Sequence, residues 1–141
     1  MRYAFPAPEE LAGLTCGELD TCRLGYRAKY IVETAEQILA DGGKTLYSLD
    51  RLPTEQGFEY LLSLSGVGPK VANCILLFSM GKYESFPLDV WIKRVMHQVY
   101  NIEEGNIKKM QEFAAEHFGA YGGIAQQYLF YSARELNKKS V

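Results

Sequence analysis

The stretch LSLSGVGPKVANCILL, residues 62–77, constrains this chain more than any other part of it. Apolar residues recur at helical spacing on both sides, yet Gly66 and Gly68 interrupt the run and Pro69 follows at once. Glycine reaches backbone conformations that a side chain forbids. Proline breaks a helix interior but suits a first turn, where its missing N–H has no partner to lose. The chain must therefore end one helix, reverse through a glycine turn and begin another at Pro69. A single long helix and a continuous strand are both excluded here.

The remaining pattern is helical nearly throughout. Thr15 and Glu18 have capping-box spacing and predict a short helix reaching Arg23. Ala28, Ile31, Val32, Ala35, Ile38 and Leu39 form one stripe, stopped by Gly42-Gly43. A short helix is expected near 45–49. Pro53-Thr54 opens the helix before the glycine turn, with Phe58, Leu61 and Leu62 as its buried face. Val71, Ala72, Ile75, Leu76 and Met80 mark the helix after it, and Gly81 its end. Asp89 stands at an N-cap position ahead of Val90, Ile92, Val95, Met96 and Val99, and Asn106 does the same ahead of Ile107, Met110 and Phe113. A last helix is expected from near Gly123, with Ile124, Tyr128, Leu129 and Tyr131 as its stripe. No segment alternates with period two, so the expected class is all-α, in one region over 1–141 with the hairpin at about 54–80.

Composition narrows the function. The chain has 141 residues, enough for one domain with a core. Its apolar runs fall short of the ~18 residues a membrane span needs. Its opening, MRYAFPAPEE, lacks the features of a signal peptide. A cytoplasmic location is therefore expected. Cys16, Cys22 and Cys74 are an odd number without a C-x-x-C pair, which argues against a disulfide framework and a four-cysteine metal or iron–sulfur site. The net charge of −2 gives no general affinity for nucleic acid, although a local field can differ from the sum.

The glycine turn admits two readings. It can be a Schellman-type turn serving packing alone. It can also leave peptide N–H groups uncovered at a helix N-terminus, where the dipole favours an anion such as a DNA phosphate. Lys70 divides similarly, as a phosphate contact or as a nucleophile. An amine attacks only when unprotonated, and a helix N-terminus and an apolar pocket both disfavour the ammonium. Asp89 is either a plain cap or, beside such an amine, a carboxylate that stabilises positive charge on a sugar and helps deprotonate the attacking group.

A glycine hairpin, Lys70 and then Pro87-Leu88-Asp89 resemble the helix-hairpin-helix DNA glycosylases of base-excision repair, and within them the branch that removes 8-oxoguanine. The resemblance runs from about Tyr3 to the last helix. It is carried by LGYRAKYI, LSGVGPKVANCILLF with PLDVW, and YGGIAQQYLF. It implies an N-glycosylase with abasic-site lyase activity on double-stranded DNA holding a damaged base, and no required cofactor. Lys70 would be the Schiff-base nucleophile and Asp89 the catalytic aspartate. Tyr26 would be a wedge beside the base opposite the lesion, and Arg27 a contact to the widowed cytosine. Gln126 and Phe130 would hydrogen-bond and stack on the flipped base, with Cys74 flanking it. Gly66, Val67 and Gly68 would grip phosphate. The carbonyls of Leu62, Leu64 and Val67 would hold a monovalent cation. A non-catalytic helix-hairpin-helix DNA-binding module remains the alternative.

Two departures matter. Trp91 stands where eukaryotic relatives often carry histidine. The resemblance also implies a β-rich N-terminal domain and further helices that have no counterpart in these residues. The expectation is a C-terminal part of a longer glycosylase, with self-association through the face so exposed. A monodisperse monomer in dilute solution would count against that.

Overall fold

A computed structural model describes residues 4–138. The described residues are helical with no strand, and the chain divides into two compact units at the Gly68–Pro69 step. Tyr3 lies outside the described residues.

The first unit contains α1 (Pro8–Leu11), a 3₁₀ segment (Cys16–Cys22), α2 (Arg27–Leu39), α3 (Lys44–Ser48) and α4 (Thr54–Ser63). The capping box at Thr15 forms, with the Thr15 N–H donating to the Glu18 carboxylate at 2.8 Å. It opens a 3₁₀ segment rather than an α-helix. α1 was not anticipated, because four residues are too few to show a period. Its entry is held by the Ala7 N–H, which donates to the Glu10 carboxylate at 2.9 Å. Leu19, Ala28 and Val32 form a small core, joined by Leu14, Leu24 and Ile31. α2 ends in a Schellman-type closure in which the Gly43 N–H donates to the Ile38 carbonyl at 2.8 Å.

The second unit contains α5 (Pro69–Ser79), α6 (Val90–Tyr100), α7 (Ile107–Phe118), a 3₁₀ turn (Gly119–Tyr121) and α8 (Gly122–Lys138). Phe86, Leu88, Ile92, Met96, Ile102, Met110 and Ala114 form its core, with Phe118, Leu129 and Phe130 packed against it. α6 and α7 both pack on α8. Asn106 caps α7 by accepting the Lys109 N–H at 3.1 Å.

Several apolar stripe members face outward. Leu62, Val71, Val90, Val99 and Ile107 are exposed. The largest reversal is on α8, where Ile124, Tyr128 and Tyr131 are exposed and Gln126 is buried. Hydrophobic spacing marks a face, but it does not say which face another element covers. The start of α8 explains the reversal. A Cβ on Gly123 would lie 2.4 Å from a Leu77 methyl and 2.5 Å from the Ser85 carbonyl oxygen. The Gly123 N–H donates to the Tyr83 carbonyl at 2.7 Å. Glycine is required here by close approach of the loop backbone, which turns the Gln126 side of the helix inward.

Candidate active site

Two groups of sequence-predicted residues lie in different units. The first unit holds the glycine turn and the proposed wedge. Gly66 has φ +72°, a left-handed conformation that favours glycine. A Cβ there would also lie 2.5 Å from the Tyr30 ring. Tyr30 in turn meets Tyr26 edge to face, with centroids 6.1 Å apart. Tyr26 is 70% exposed, and the Arg27 guanidinium lies 4.6 Å from its ring centroid. Tyr26 and Arg27, assigned separate roles on sequence grounds, thus form one cation–π pair.

α2 also grips the turn directly. The Thr34 hydroxyl donates to the Ser65 carbonyl at 2.9 Å. The Gln37 amide donates to the Ser63 carbonyl at 3.2 Å and accepts the Ser65 N–H at 2.8 Å. The Ser65 hydroxyl donates to the Glu33 carboxylate. This bond, chiefly, holds the Glu33 carboxyl below the ordinary carboxylate value; desolvation opposes it and Lys29, 3.5 Å away, adds to it. These clamp residues were missed on sequence grounds. Their signal is the set Tyr30, Glu33, Thr34 and Gln37, which shares one helix face at i, i+3, i+4 and i+7.

Not all of the turn is uncovered. The half-buried Val67 donates its N–H to the Leu64 carbonyl at 3.1 Å, so that donor is spent. Among the described residues, the Gly66 and Gly68 N–H groups have no hydrogen-bond partner. No Cβ contact would arise at Gly68. Leu62 and Leu64 sit where α4 ends and its carbonyls run out of helical partners. The Leu64 carbonyl already accepts one bond, which leaves it a single lone pair for a cation.

The second unit holds Lys70 and Asp89, the two residues expected on sequence grounds to react. A cavity of about 230 Å³ is lined by Pro69, Lys70, Asn73, Leu88, Lys93, Ile107 and Gln111. Lys70 is exposed, so the apolar burial expected to favour its free amine is not present. Asp89, the residue after Leu88, caps α6, with Oδ1 accepting the Ile92 N–H at 2.8 Å. Oδ2 has no partner among the described residues.

Two carboxamides hold the loop that carries Asp89. Gln126, 3% exposed, donates Nε2 to the Pro87 carbonyl at 3.0 Å. Its Oε1 accepts from Gln127. Gln111 donates to the Phe86 carbonyl at 3.0 Å. Gln126, read from sequence as a contact to a flipped base, braces the Pro87-Leu88-Asp89 segment in this structure. Phe130 is half-buried on the core with the Arg134 guanidinium 5.5 Å from its ring centroid. Cys74 is half-buried and unpaired, and Cys16 and Cys22 are exposed thiols. Trp91 carries the Arg94 guanidinium 5.4 Å from its ring centroid. The described residues contain no group of three or more His, Cys, Asp or Glu able to hold a metal ion. No described helix is long and apolar enough to cross a membrane.

Comparison with known proteins extends this geometry. A family model described as HhH-GPD superfamily base excision DNA repair protein matches residues 1–119. A probable N-glycosylase/DNA lyase of Methanothermobacter thermautotrophicus is 38% identical over 94% of this chain and 48% of its own length. The N-glycosylase/DNA lyase OGG1 of Arabidopsis thaliana is 31% identical over 91% of this chain and 38% of its own length. Among solved structures, Clostridium acetobutylicum 8-oxoguanine glycosylase/lyase in complex with dsDNA containing cytosine opposite 8-oxoG superposes with a TM-score of 0.86. That match is 43% identical and covers 96% of this chain and 46% of the other. The chain spans less than half the length of these relatives.

Proposed function

The chain belongs to the HhH-GPD superfamily of base excision DNA repair proteins, and from that premise we propose that it is a DNA N-glycosylase and abasic-site lyase acting on oxidised purine, 8-oxoguanine, in duplex DNA. The observation that carries the proposal is the cavity that Lys70 lines in the second unit. Lys70 and Leu88 line it, and Asp89 follows Leu88 as the cap of α6.

In this reading Lys70 Nζ, as free amine, attacks the sugar C1′. An N–C1′ bond forms while the glycosidic C–N bond breaks; the base leaves with that electron pair and takes up a proton. The nitrogen then loses a proton, its lone pair closes a protonated imine as the C1′–O4′ bond breaks, and O4′ takes up a proton to become a hydroxyl. The imine makes the C2′ hydrogen acidic, so its removal expels the 3′ phosphate as the C3′–O bond breaks. The Asp89 carboxylate stabilises positive charge on the sugar as the base departs. Gln126 and Gln111 position that carboxylate by bracing its loop.

The glycine turn grips backbone phosphate through the Gly66 and Gly68 N–H groups. Tyr26 and Arg27 enter the duplex as a pair, and wedge insertion helps expel the damaged nucleotide. Phe130 and Cys74 flank the expelled base, with Gln126 bonding its edge. A monovalent cation at the Leu62, Leu64 and Val67 carbonyls is part of the proposal, as are a cytoplasmic location and self-association through the exposed Tyr121, Ile124, Tyr128 and Tyr131 of the second unit.

The test is borohydride reduction in the presence of duplex DNA containing 8-oxoguanine. The intact protein forms a covalent adduct, and Lys70→Gln does not. The exposure of Lys70 favours a second reading, a DNA-binding module without chemistry. That reading requires salt-sensitive binding with no trapping by the wild type.

A further inference from the structure

The cavity that holds Lys70 carries a second lysine that the reaction above does not use. Lys93 lines it one turn into α6. The other polar lining residues are Asn73 and Gln111, and no carboxylate lines it among the described residues. Neither lysine forms an ion pair with a carboxylate among the described residues. In a chain of net charge −2, this cavity is lined by two lysines and no acid, which favours an anionic ligand.

The carboxamides sharpen its character. Asn73 spends one N–H on the Pro69 carbonyl at 2.9 Å, and Gln111 spends one on the Phe86 carbonyl at 3.0 Å. Each bond fixes the amide plane and leaves a second N–H to donate. Lys93, Asn73 and Gln111 are all half-buried residues, although the Asn73 amide bond is exposed. The apolar walls, Pro69, Leu88 and Ile107, suit the carbon face of a sugar.

We infer that this cavity is an anion subsite in which Lys93 holds the DNA phosphodiester next to the nucleotide that Lys70 attacks, with Asn73 and Gln111 as neutral donors. The inference rests on the proposed DNA reading, but it assigns Lys93 to positioning and leaves the chemistry to Lys70. A lysine suits this role because an ammonium meets phosphate as a point charge and needs no planar pairing.

The test measures affinity against salt for duplex DNA holding a tetrahydrofuran abasic analogue, which cannot form an imine. Lys93→Gln keeps much of the stem and removes the charge. It should weaken binding roughly tenfold at fixed salt and make the slope of log K against log salt shallower by about one. Lys93→Arg should keep the wild-type slope. A role in packing alone would not move that slope. An unchanged slope and affinity in Lys93→Gln overturns the inference, as does wild-type protein that fails to bind the duplex.

A parallel titration with inorganic phosphate at constant ionic strength reads the fluorescence of Trp91, the only tryptophan in the chain. If Lys93→Gln abolishes a phosphate response while leaving the DNA slope intact, the site serves a free anion and the phosphodiester assignment fails. Failure of borohydride trapping by the wild type would reject the catalytic reading and leave the Lys93 result standing.

Discussion

The two units fix their functional segments by different physics. In the first, the glycine turn is held by side chains of α2 that bond to its backbone and to the Ser65 hydroxyl. In the second, the loop before Asp89 is held by a buried apolar core and two carboxamides. A turn that offers its own N–H groups to a ligand cannot also spend them on packing, so its support must come from the flanks. A loop that presents a carboxylate can be locked by burying everything around it. The first arrangement contains an ionisable clamp residue, Glu33, and the second is held by groups that do not titrate. Acid should therefore separate them.

The largest effect is expected where burial is complete. Gln126→Ala removes the donor to the Pro87 carbonyl and leaves that buried oxygen unpaired, a cost of about 1–3 kcal/mol. Thermal unfolding should show the loss, and the trapping rate should fall while affinity for undamaged duplex, which offers Gln126 no expelled base, holds. If stability and trapping both survive, the carboxamide is not the support of the loop, and the contrast between the units weakens.

Gly66→Ala should rank next. It places a Cβ at φ +72° and within 2.5 Å of the Tyr30 ring, and the left-handed conformation alone costs about 1–2 kcal/mol. Binding to duplex DNA should weaken. Adding Tyr30→Ala should recover the steric part of the loss and leave the conformational part. No recovery would mean that the ring yields freely and does not define the turn.

The smallest effect is that of pH. The Glu33 carboxyl is held below its ordinary 4.5, first by the Ser65 hydroxyl. Its contribution is therefore complete above that unfolded value and is lost as pH falls through the lower folded value. Hydrogen exchange at the turn should rise over that window in the wild type. Glu33→Gln should flatten the rise, and a profile identical in both proteins would remove Glu33 from the clamp.

Much of this was legible in the sequence because punctuation is local. The glycine turn, Pro69, and the caps at Thr15, Asp89 and Asn106 each declare themselves within a few residues, and the structure places an element boundary at each. The clamp was not legible, since it joins Glu33, Thr34 and Gln37 to Ser63 and Ser65 across a long sequence gap. The outward face of α8 was not legible either, because Ile124, Tyr128 and Tyr131 carry the hydrophobic signal while a glutamine takes the buried position. Lys93, within WIKRV, reads as one more solvated charge until the cavity wall is drawn around it.

Gly122 and Gly123 give α8 a first turn with no side chains between it and the 83–86 backbone. On the loop side the spacing is set by main-chain atoms, the Glu84 and Ser85 carbonyls, which every residue shares, while the Leu77 side chain closes on Gly123 from the other side. Side chains elsewhere in the second unit can drift over generations and be compensated by their neighbours. The glycine faces have nothing to trim, so on the loop side the seat of the Asp89 loop is insulated from that drift, and the way to change it there is to fill it.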